Sequence, residues 1–330
     1  MYRIASAALA IAIALSTTPL DAREIRSGGA APEASPWGKL MNDYVAHVAE
    51  VSGGKLTVNH FHNSELGDEQ TMARQTARGR LDMALLSNTG ASMLVPEYAL
   101  TAAPYLYSSA AQADCVSDEH LTNAFGDAFE AAGVHPVVSM FTGNQILLGK
   151  TLIRSPDDLH GLKIRTAPTI PDTVYLKTAG GNVVPLGTVD TMPALKTGNV
   201  NAVSWPALYG IAAGYAAEAP QITVTNHSVQ VGLMVVSKRL WDSLSDEEKG
   251  WLTPPPEMFD GLRETVRQTE KSLLNKVEAE GATVYYPDAE DLAAWKSFAP
   301  AAQKAIVADM GGNAAEVWKT LVAATAACSD

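Results

Sequence analysis

Residues 35–61 read SPWGKLMNDYVAHVAEVSGGKLTVNHF, and two periodicities meet inside that stretch. Ser35 followed by Pro36 reads as a helix start: a serine oxygen can accept from an early N–H, and proline sits where no N–H partner is lost. Leu40, Met41, Tyr44, Val45 and Val48 then recur at helical spacing, as one buried stripe requires. Gly53-Gly54 stops the helix, and from Lys55 to Phe61 apolar and polar side chains alternate, which reads as a strand. A short strand over Glu24–Ser27, ending at Gly28-Gly29, precedes this unit. A helix over Gln70–Arg80 and an apolar strand over Leu81–Leu86 follow it. Strand, helix, strand, helix, strand predicts an α/β block whose sheet is covered by helices.

A second block of the same grammar begins near His135. Strands are expected over Val137–Met140, Leu162–Arg165, Asn182–Leu186 and Val200–Trp205, with helices over Pro171–Thr178 and Met192–Thr197. The apolar run Val229–Ser237 reads as a strand that could return to the first block. Ser245 and Glu248 form a capping box, Pro254-Pro255-Pro256 breaks the helix it opens, and Met258–Glu280 is a long amphipathic helix ended by Gly281. From Ala289 onward the chain is Ala-rich and reads as helical. Two blocks agree with a length of 330 residues at about 150 residues per domain.

Apolar residues make up 47% of the chain and charged residues 18%, an ordinary globular balance. The formal charge of −12 argues against nucleic acid and against an anionic membrane surface, since both need a basic face. Residues 1–22, MYRIASAALAIAIALSTTPLDA, combine Arg3, an apolar run from Ile4 to Leu15 and a small residue at Ala22. That is the pattern of a secretory signal peptide cleaved after Ala22, or alternatively after Ser16, and it predicts export to the periplasm. The other reading of the segment is a buried N-terminal helix. Cys115 and Cys328 are the two cysteines. In an exported chain they read as a disulfide, worth about 4–5 kcal/mol in the chain-entropy picture for so long a loop, or as two separate buried thiols.

Most chemistry-bearing patterns lead nowhere. Gly143–Thr151 has one residue too many between its glycines for a phosphate loop. His60 and His62 stand at i and i+2 on a strand and share a face, with Glu65 and Asp68 nearby, but two ligands do not make a metal site. No G-x-S-x-G elbow occurs, and paired carboxylates such as Asp157-Asp158 and Glu247-Glu248 read as helix starts. The expectation is a protein with no catalytic centre, no cofactor and no metal.

A set of short segments, in order, is more informative. They are Ser52–Val58 (SGGKLTV), Ser64–Glu69 (SELGDE), Gly79–Ala84 (GRLDMA), Ala103–Tyr107 (APYLY), Ser155–Arg165 (SPDDLHGLKIR) and Ala194–Asn201 (ALKTGNVN). Together they resemble the extracytoplasmic solute-binding proteins of the tripartite ATP-independent periplasmic (TRAP) transporters, in the branch of C4-dicarboxylate and sialic acid receptors. The resemblance implies a two-domain, venus-flytrap binding protein of α/β class with a long helix spanning both domains. The first domain would hold residues 23–140 and 228–257, the second 141–227 and 282–330, and the spanning helix 258–281. Hinges are implied near Met140–Thr142 and Thr225–His227. It further implies a monomer that closes on a small carboxylate and delivers it to a small and a large membrane subunit. A receptor for a membrane sensor and an enzyme on a similar scaffold are the alternatives.

Site residues carry over position by position. Arg165, ending the Gly161–Arg165 segment, stands where the family meets the ligand carboxylate, and a planar guanidinium can grip one through two parallel hydrogen bonds. Gln145 stands where some relatives have a second arginine, so one charge is missing and a smaller, singly anionic acid is implied. Trp205, where relatives carry a smaller polar residue, would be a flat apolar wall or a core residue, and Tyr209 could line the same wall. Ser87 and Asn88 follow the Leu81–Leu86 strand and are implied polar contacts. Trp37 is a further candidate, and Thr188 replaces an aromatic of a relative.

Overall fold

The computed structural model describes residues 22–329, so the expected leader lies outside the described residues apart from Ala22. Ten strands are present among them: β1 (Arg23–Gly29), β2 (Leu56–Phe61), β3 (Met83–Leu86), β4 (Val134–Gly149), β5 (Lys163–Thr166), β6 (Asn182–Pro185), β7 (Ala202–Pro206), β8 (Gln221–Thr223), β9 (Val229–Ser237) and β10 (Thr283–Tyr285). Helices of the first lobe are α1 (Pro36–Val51), α2 (Glu69–Ala77), α3 (Asn88–Ser92), α4 (Ala110–Glu119) and α5 (Leu121–Ala131). The second lobe carries α6 (Ile170–Thr178), α7 (Thr188–Thr197), α8 (Ala207–Ala212) and α9 (Tyr215–Glu218). Then follow α10 (Lys238–Trp241), α11 (Asp246–Leu252), α12 (Pro256–Ala279), α13 (Ala289–Ser297), α14 (Ala299–Met310) and α15 (Ala314–Ala327).

The strands hydrogen-bond in the order β2-β1-β3-β9-β4-β7-β5-β6, with β8 joining β4 to β10. Within each lobe the strands fed by helical crossovers pair in parallel, β2 with β1 and β1 with β3 in one, β7 with β5 and β5 with β6 in the other. β9 and β4 are antiparallel to their neighbours. β4 joins the lobes: Val134 to Asn144 pairs with β9, whereas Gln145 to Gly149 pairs with β7. The local pattern over Val137–Met140 underestimates this strand. Pro136 and Gly143 sit at register shifts between Pro136 and Val138 and between Phe141 and Gly143. A bulge absorbs the missing donor and the bend, so the ladder continues through both breakers.

Local chemistry explains the element ends. Ser35 Oγ accepts from Gly38 N at 3.1 Å, and Pro36 opens α1. The buried stripe of α1, from Trp37 to Val48, packs into a core shared with β1, β3 and β9. Tyr44 carries its hydroxyl into that core and donates to Leu252 O at 2.7 Å, and burial pushes its phenol above the usual range.

The long helix α12 has 24 residues, about 36 Å at 1.5 Å per residue. It begins two residues before the sequence pattern suggests, because Pro256 is tolerated in its first turn. Phe259, Leu262 and Val266 belong to the core under α1, while Leu274 and Val277 belong to the core of the second lobe. One stripe of a single helix therefore enters two cores. Arg263 and Arg267 of α12 bind Asp118 and Asp114 of α4, with Arg263 Nη1 to Asp118 Oδ2 at 2.7 Å and Arg267 Nη2 to Asp114 Oδ1 at 2.7 Å.

The C-terminal helices are shared between the lobes. α14 lies on α6, whereas α15 lies on α4, α5 and the 3-10 turn Pro96–Ala102. Cys115 in α4 and Cys328, just past α15, are bonded with their Cα atoms 5.9 Å apart, which decides between the two readings of the cysteines.

Candidate functional site

A cavity of about 500 Å³ opens between the lobes. Trp37, Ser64, Asp68, Glu69, Ser87 and Thr89 line it from the first lobe. Gln145, Arg165, Thr188, Trp205 and Tyr209 line it from the second, and Met140, Thr142 and Gln230 of the crossing strands β4 and β9 complete it.

Arg165 points inward from β5 and is 3% exposed. Nε donates to Leu186 O at 3.0 Å and Nη1 to Ser204 O at 3.1 Å. The guanidinium carbon lies 3.5 Å from the centroid of the Trp205 ring, a stacking and cation–π geometry. Burial lowers its pKa to about 10, with the Asp172 carboxylate opposing, so the group is cationic at neutral pH. Asp172 in turn accepts from Ser204 Oγ at 2.9 Å and from Ala167 N at 3.3 Å. Two backbone carbonyls and one aromatic face thus hold the fork in place, and Nη2 has no hydrogen-bond partner among the described residues. Such a group can take a carboxylate with little ordering cost.

Both readings of Trp205 hold together. The ring is 5% exposed and part of the second-lobe core, yet it also lines the cavity. It stacks on Tyr209 at 5.7 Å and Tyr215 at 5.0 Å between centroids. Gln145 is 3% exposed, and its Oε1 is buried with no hydrogen-bond partner among the described residues. Thr188 is exposed on the cavity's lip beside Val189.

On the facing wall Trp37 is buried, and its indole N–H donates to Phe141 O at 3.1 Å. The Ser87 N–H and hydroxyl each donate to Glu69, at 2.6 Å. Burial raises the Glu69 pKa, while the two Ser87 hydrogen bonds oppose that rise. Asp68 caps α2, accepting from Thr71 N at 2.7 Å, and that bonding lowers its pKa. Asn88 does not line the cavity, contrary to the expectation from its place after the strand. It opens α3, turns inward at 1% exposure, and donates to Tyr98 O at 3.2 Å and Thr101 Oγ1 at 2.8 Å. A buried amide must find partners, and the chain next to it supplies them.

Sequence reasoning missed Glu69 as a wall residue, although it closes the SELGDE segment quoted above. It also missed Thr142, Gln230 and Asp172. Strand alternation on β9 was available as a signal for Gln230; nothing local distinguishes Glu69 from an ordinary first-turn glutamate. Glu270 was missed as well. It continues the stripe of Leu262, Val266 and Leu274 on α12 yet is a carboxylate, 7% exposed. Its Oε1 accepts from Asn144 N at 3.3 Å, where β4 changes partners. A Cβ on Gly143 would come within 2.6 Å of that oxygen, and Gly143 has φ +115°, so only glycine fits there. Burial pushes the Glu270 pKa up to about 7 against hydrogen bonds from the Asn144 and Leu208 N–H groups.

His60 and His62 share a face, with ring centroids 4.6 Å apart. One nitrogen of each ring goes to a neighbouring side chain, His60 Nδ1 to Ser27 Oγ at 2.8 Å and His62 Nε2 to Asn42 Oδ1 at 3.2 Å, while His62 Nδ1 is buried with no partner among the described residues. Burial, then His62, lowers the His60 pKa to about 4. The three-ligand cluster found among the described residues is Cys115, His120 and Cys328, whose two sulfurs are bonded to each other.

Residues 27–309 match the family model of bacterial extracellular solute-binding proteins, family 7. The chain belongs to that family of solute-binding proteins. It is 26% identical over 243 residues to a solute-binding protein of Chromohalobacter salexigens, an alignment covering 72% of this chain and 71% of that one. Among solved structures it is similar to the sugar acid binding protein of Advenella mimigardefordensis in complex with galactonate. That match has a TM-score of 0.86 at 23% identity, covering 93% of this chain and 99% of the other. A TRAP periplasmic solute-binding protein of Chromohalobacter salexigens with bound D-glucuronate follows, with a TM-score of 0.85 at 21% identity, covering 92% and 100%. The two-lobed α/β fold with a long spanning helix is the fold of these proteins.

Proposed function

We propose that the protein is an exported receptor that takes a small organic acid into the cleft, with the carboxylate on Arg165, and hands it to the membrane subunits of a TRAP transporter. The observation that carries this reading is the buried guanidinium whose Nη2 has no partner among the described residues while Nε and Nη1 are fixed by carbonyls. A ligand carboxylate supplies the missing acceptor. Residues 1–22 act as the signal peptide, and the periplasm is the working compartment. β4, the 225–228 segment before β9, and α12 are the three crossings about which the lobes close. The receptors named above with galactonate and glucuronate support a ligand of that general kind. The fold is read as a binding scaffold and not as an enzyme.

The experiment is calorimetric titration of residues 23–330, stripped of ligand by unfolding and refolding, with small carboxylates and with neutral sugars as controls. Binding confined to acids and abolished by Arg165→Ala is the expected result. Neutral sugars binding as well as acids, with Arg165→Ala unaffected, would overturn the proposal.

A further inference from the structure

The buried stripe of α12 is interrupted where the helix passes from one core to the other. Leu262 and Val266 enter the core under α1, Leu274 enters the core of the second lobe, and Glu270 stands between them at the same spacing. Its carboxylate meets backbone N–H groups of two other elements: Asn144 of β4, at 3.3 Å from Oε1, and Leu208 of α8. Each of these amides immediately precedes a residue of the cavity wall, Gln145 after Asn144 and Tyr209 after Leu208. Gln145 is also paired with Pro206 across the β4–β7 ladder, and Pro206 lines the cavity too. Glu270 stands behind that wall and is not one of its lining residues.

We infer that Glu270 is a positioning residue for the cleft: as a carboxylate it clamps the β4 and α8 segments that present Gln145 and Tyr209, and its protonation slackens the clamp. The inference rests on the receptor reading given above and adds a residue outside the cavity that sets how firmly the wall is held. The physical reason lies in the donors. Both amides donate, so an ionised carboxylate satisfies them with acceptor oxygens alone. A protonated carboxyl turns one oxygen into a donor facing other donors and loses part of that bonding. A wall already held in place costs less ordering free energy when a ligand arrives. Ligand affinity therefore rises with pH as the carboxylate forms, and by linkage the loaded protein holds the Glu270 proton less tightly than the free protein does. Burial places the titration at about pH 7. Among the described residues the charge that acts on Glu270 is Arg267, one turn earlier on α12. That guanidinium is paired with Asp114 of α4 at 2.7 Å and lies over the Phe141 ring of β4. β4 and α8 present amide N–H groups to Glu270, and the buried face of α1 carries Tyr44, whose hydroxyl is committed to Leu252 O.

The test is calorimetric titration of the stripped protein with galactonate, glucuronate, lactate and pyruvate at pH 6 and pH 8. Arg165 is cationic across that range, and the four acids are ionised throughout it. Whichever acid binds should bind about threefold or more tightly at pH 8 than at pH 6. Glu270→Gln, which fixes the donor–acceptor pattern of the protonated acid, should remove that rise and hold affinity near the wild-type value at pH 6. In the wild type the backbone ¹⁵N resonances of Asn144, Gln145, Leu208 and Tyr209 should shift with one midpoint, shared with the affinity profile. Equal affinity at both pH values, or a rise that Glu270→Gln retains, overturns the positioning role and leaves the receptor reading standing. If none of the four acids binds folded protein at either pH, the receptor reading falls and this inference with it. If Glu270→Gln does not fold, the wild-type resonances decide: an affinity midpoint that Asn144 and Leu208 do not share overturns the role.

Discussion

Arg165 and Glu69 line the same cavity from opposite lobes, and they are anchored in different ways. Arg165 is braced by carbonyls of two other segments, by the Trp205 ring, and through Ser204 by Asp172. Glu69 is held by one residue, Ser87, in the first turn of a nine-residue helix. The helix follows a loop where Asn63, Ser64 and Gly67 all have positive φ. The second-lobe wall is thus part of a packed aromatic core, whereas the first-lobe wall is a capped helix start standing on a turn. The cation is held in place by its surroundings, and the facing acid stands on a less braced element.

The comparison can be broken most forcefully at Trp205. Trp205→Ala should lower unfolding stability by about 3–5 kcal/mol, read from urea denaturation, because the ring is core as well as wall. A loss below about 1 kcal/mol would show that the second-lobe wall is a rim and not a core. Arg165→Ala should weaken carboxylate binding by about 2–4 kcal/mol, since the pair forms inside a desolvated cleft. Affinity within about twofold of wild type would remove the cation from the site.

Glu270 tests the crossing between the walls. Its pKa is raised from 4.5 to about 7, so the folded state holds this proton more tightly than the unfolded chain does. The stabilising contribution is fully present below pH 4.5 and is lost as pH rises through about 7. The loss amounts to about 3 kcal/mol at most. Glu270→Gln should flatten that part of the stability–pH curve measured by denaturant unfolding between pH 4 and pH 8. An unchanged curve would mean that the carboxyl is not the source. The smallest effect is expected at Asn88. Asn88→Ala should cost about 1–2 kcal/mol of stability, by stranding the Thr101 hydroxyl and the Tyr98 carbonyl. Ligand affinity should not move, and a drop of tenfold or more would return Asn88 to the cleft.

Much of this architecture was legible in local pattern. The Ser35 cap, the α1 stripe, the capping box at Ser245 and the long amphipathic α12 all follow from interactions within a few residues, and the structure has each of them. The resemblance of the Gly161–Arg165 segment to a family pointed to Arg165, which lines the cavity. Legibility failed where a residue's partner is far along the chain. Asn88 looked like a ligand contact because its position after a strand is visible and its inward partners, ten and thirteen residues away, are not. β4 looked like a four-residue strand because Pro136 and Gly143 break local propensity, while cross-strand pairing to β9 and β7 carries the ladder past them.

By itself the sequence determined the α/β alternation, the element ends and the −12 charge, because periodicity, capping and side-chain chemistry are local properties; Arg165 was implied by the resemblance of its segment to a family. Only the tertiary structure decided that Cys115 meets Cys328 across 213 residues, that Glu69 faces Arg165's cavity, and that a glutamate in the stripe of α12 is buried against the backbone where β4 passes between lobes. These depend on which surfaces the folded chain brings together and removes from water, and burial, not residue type, decides how tightly such a glutamate holds its proton.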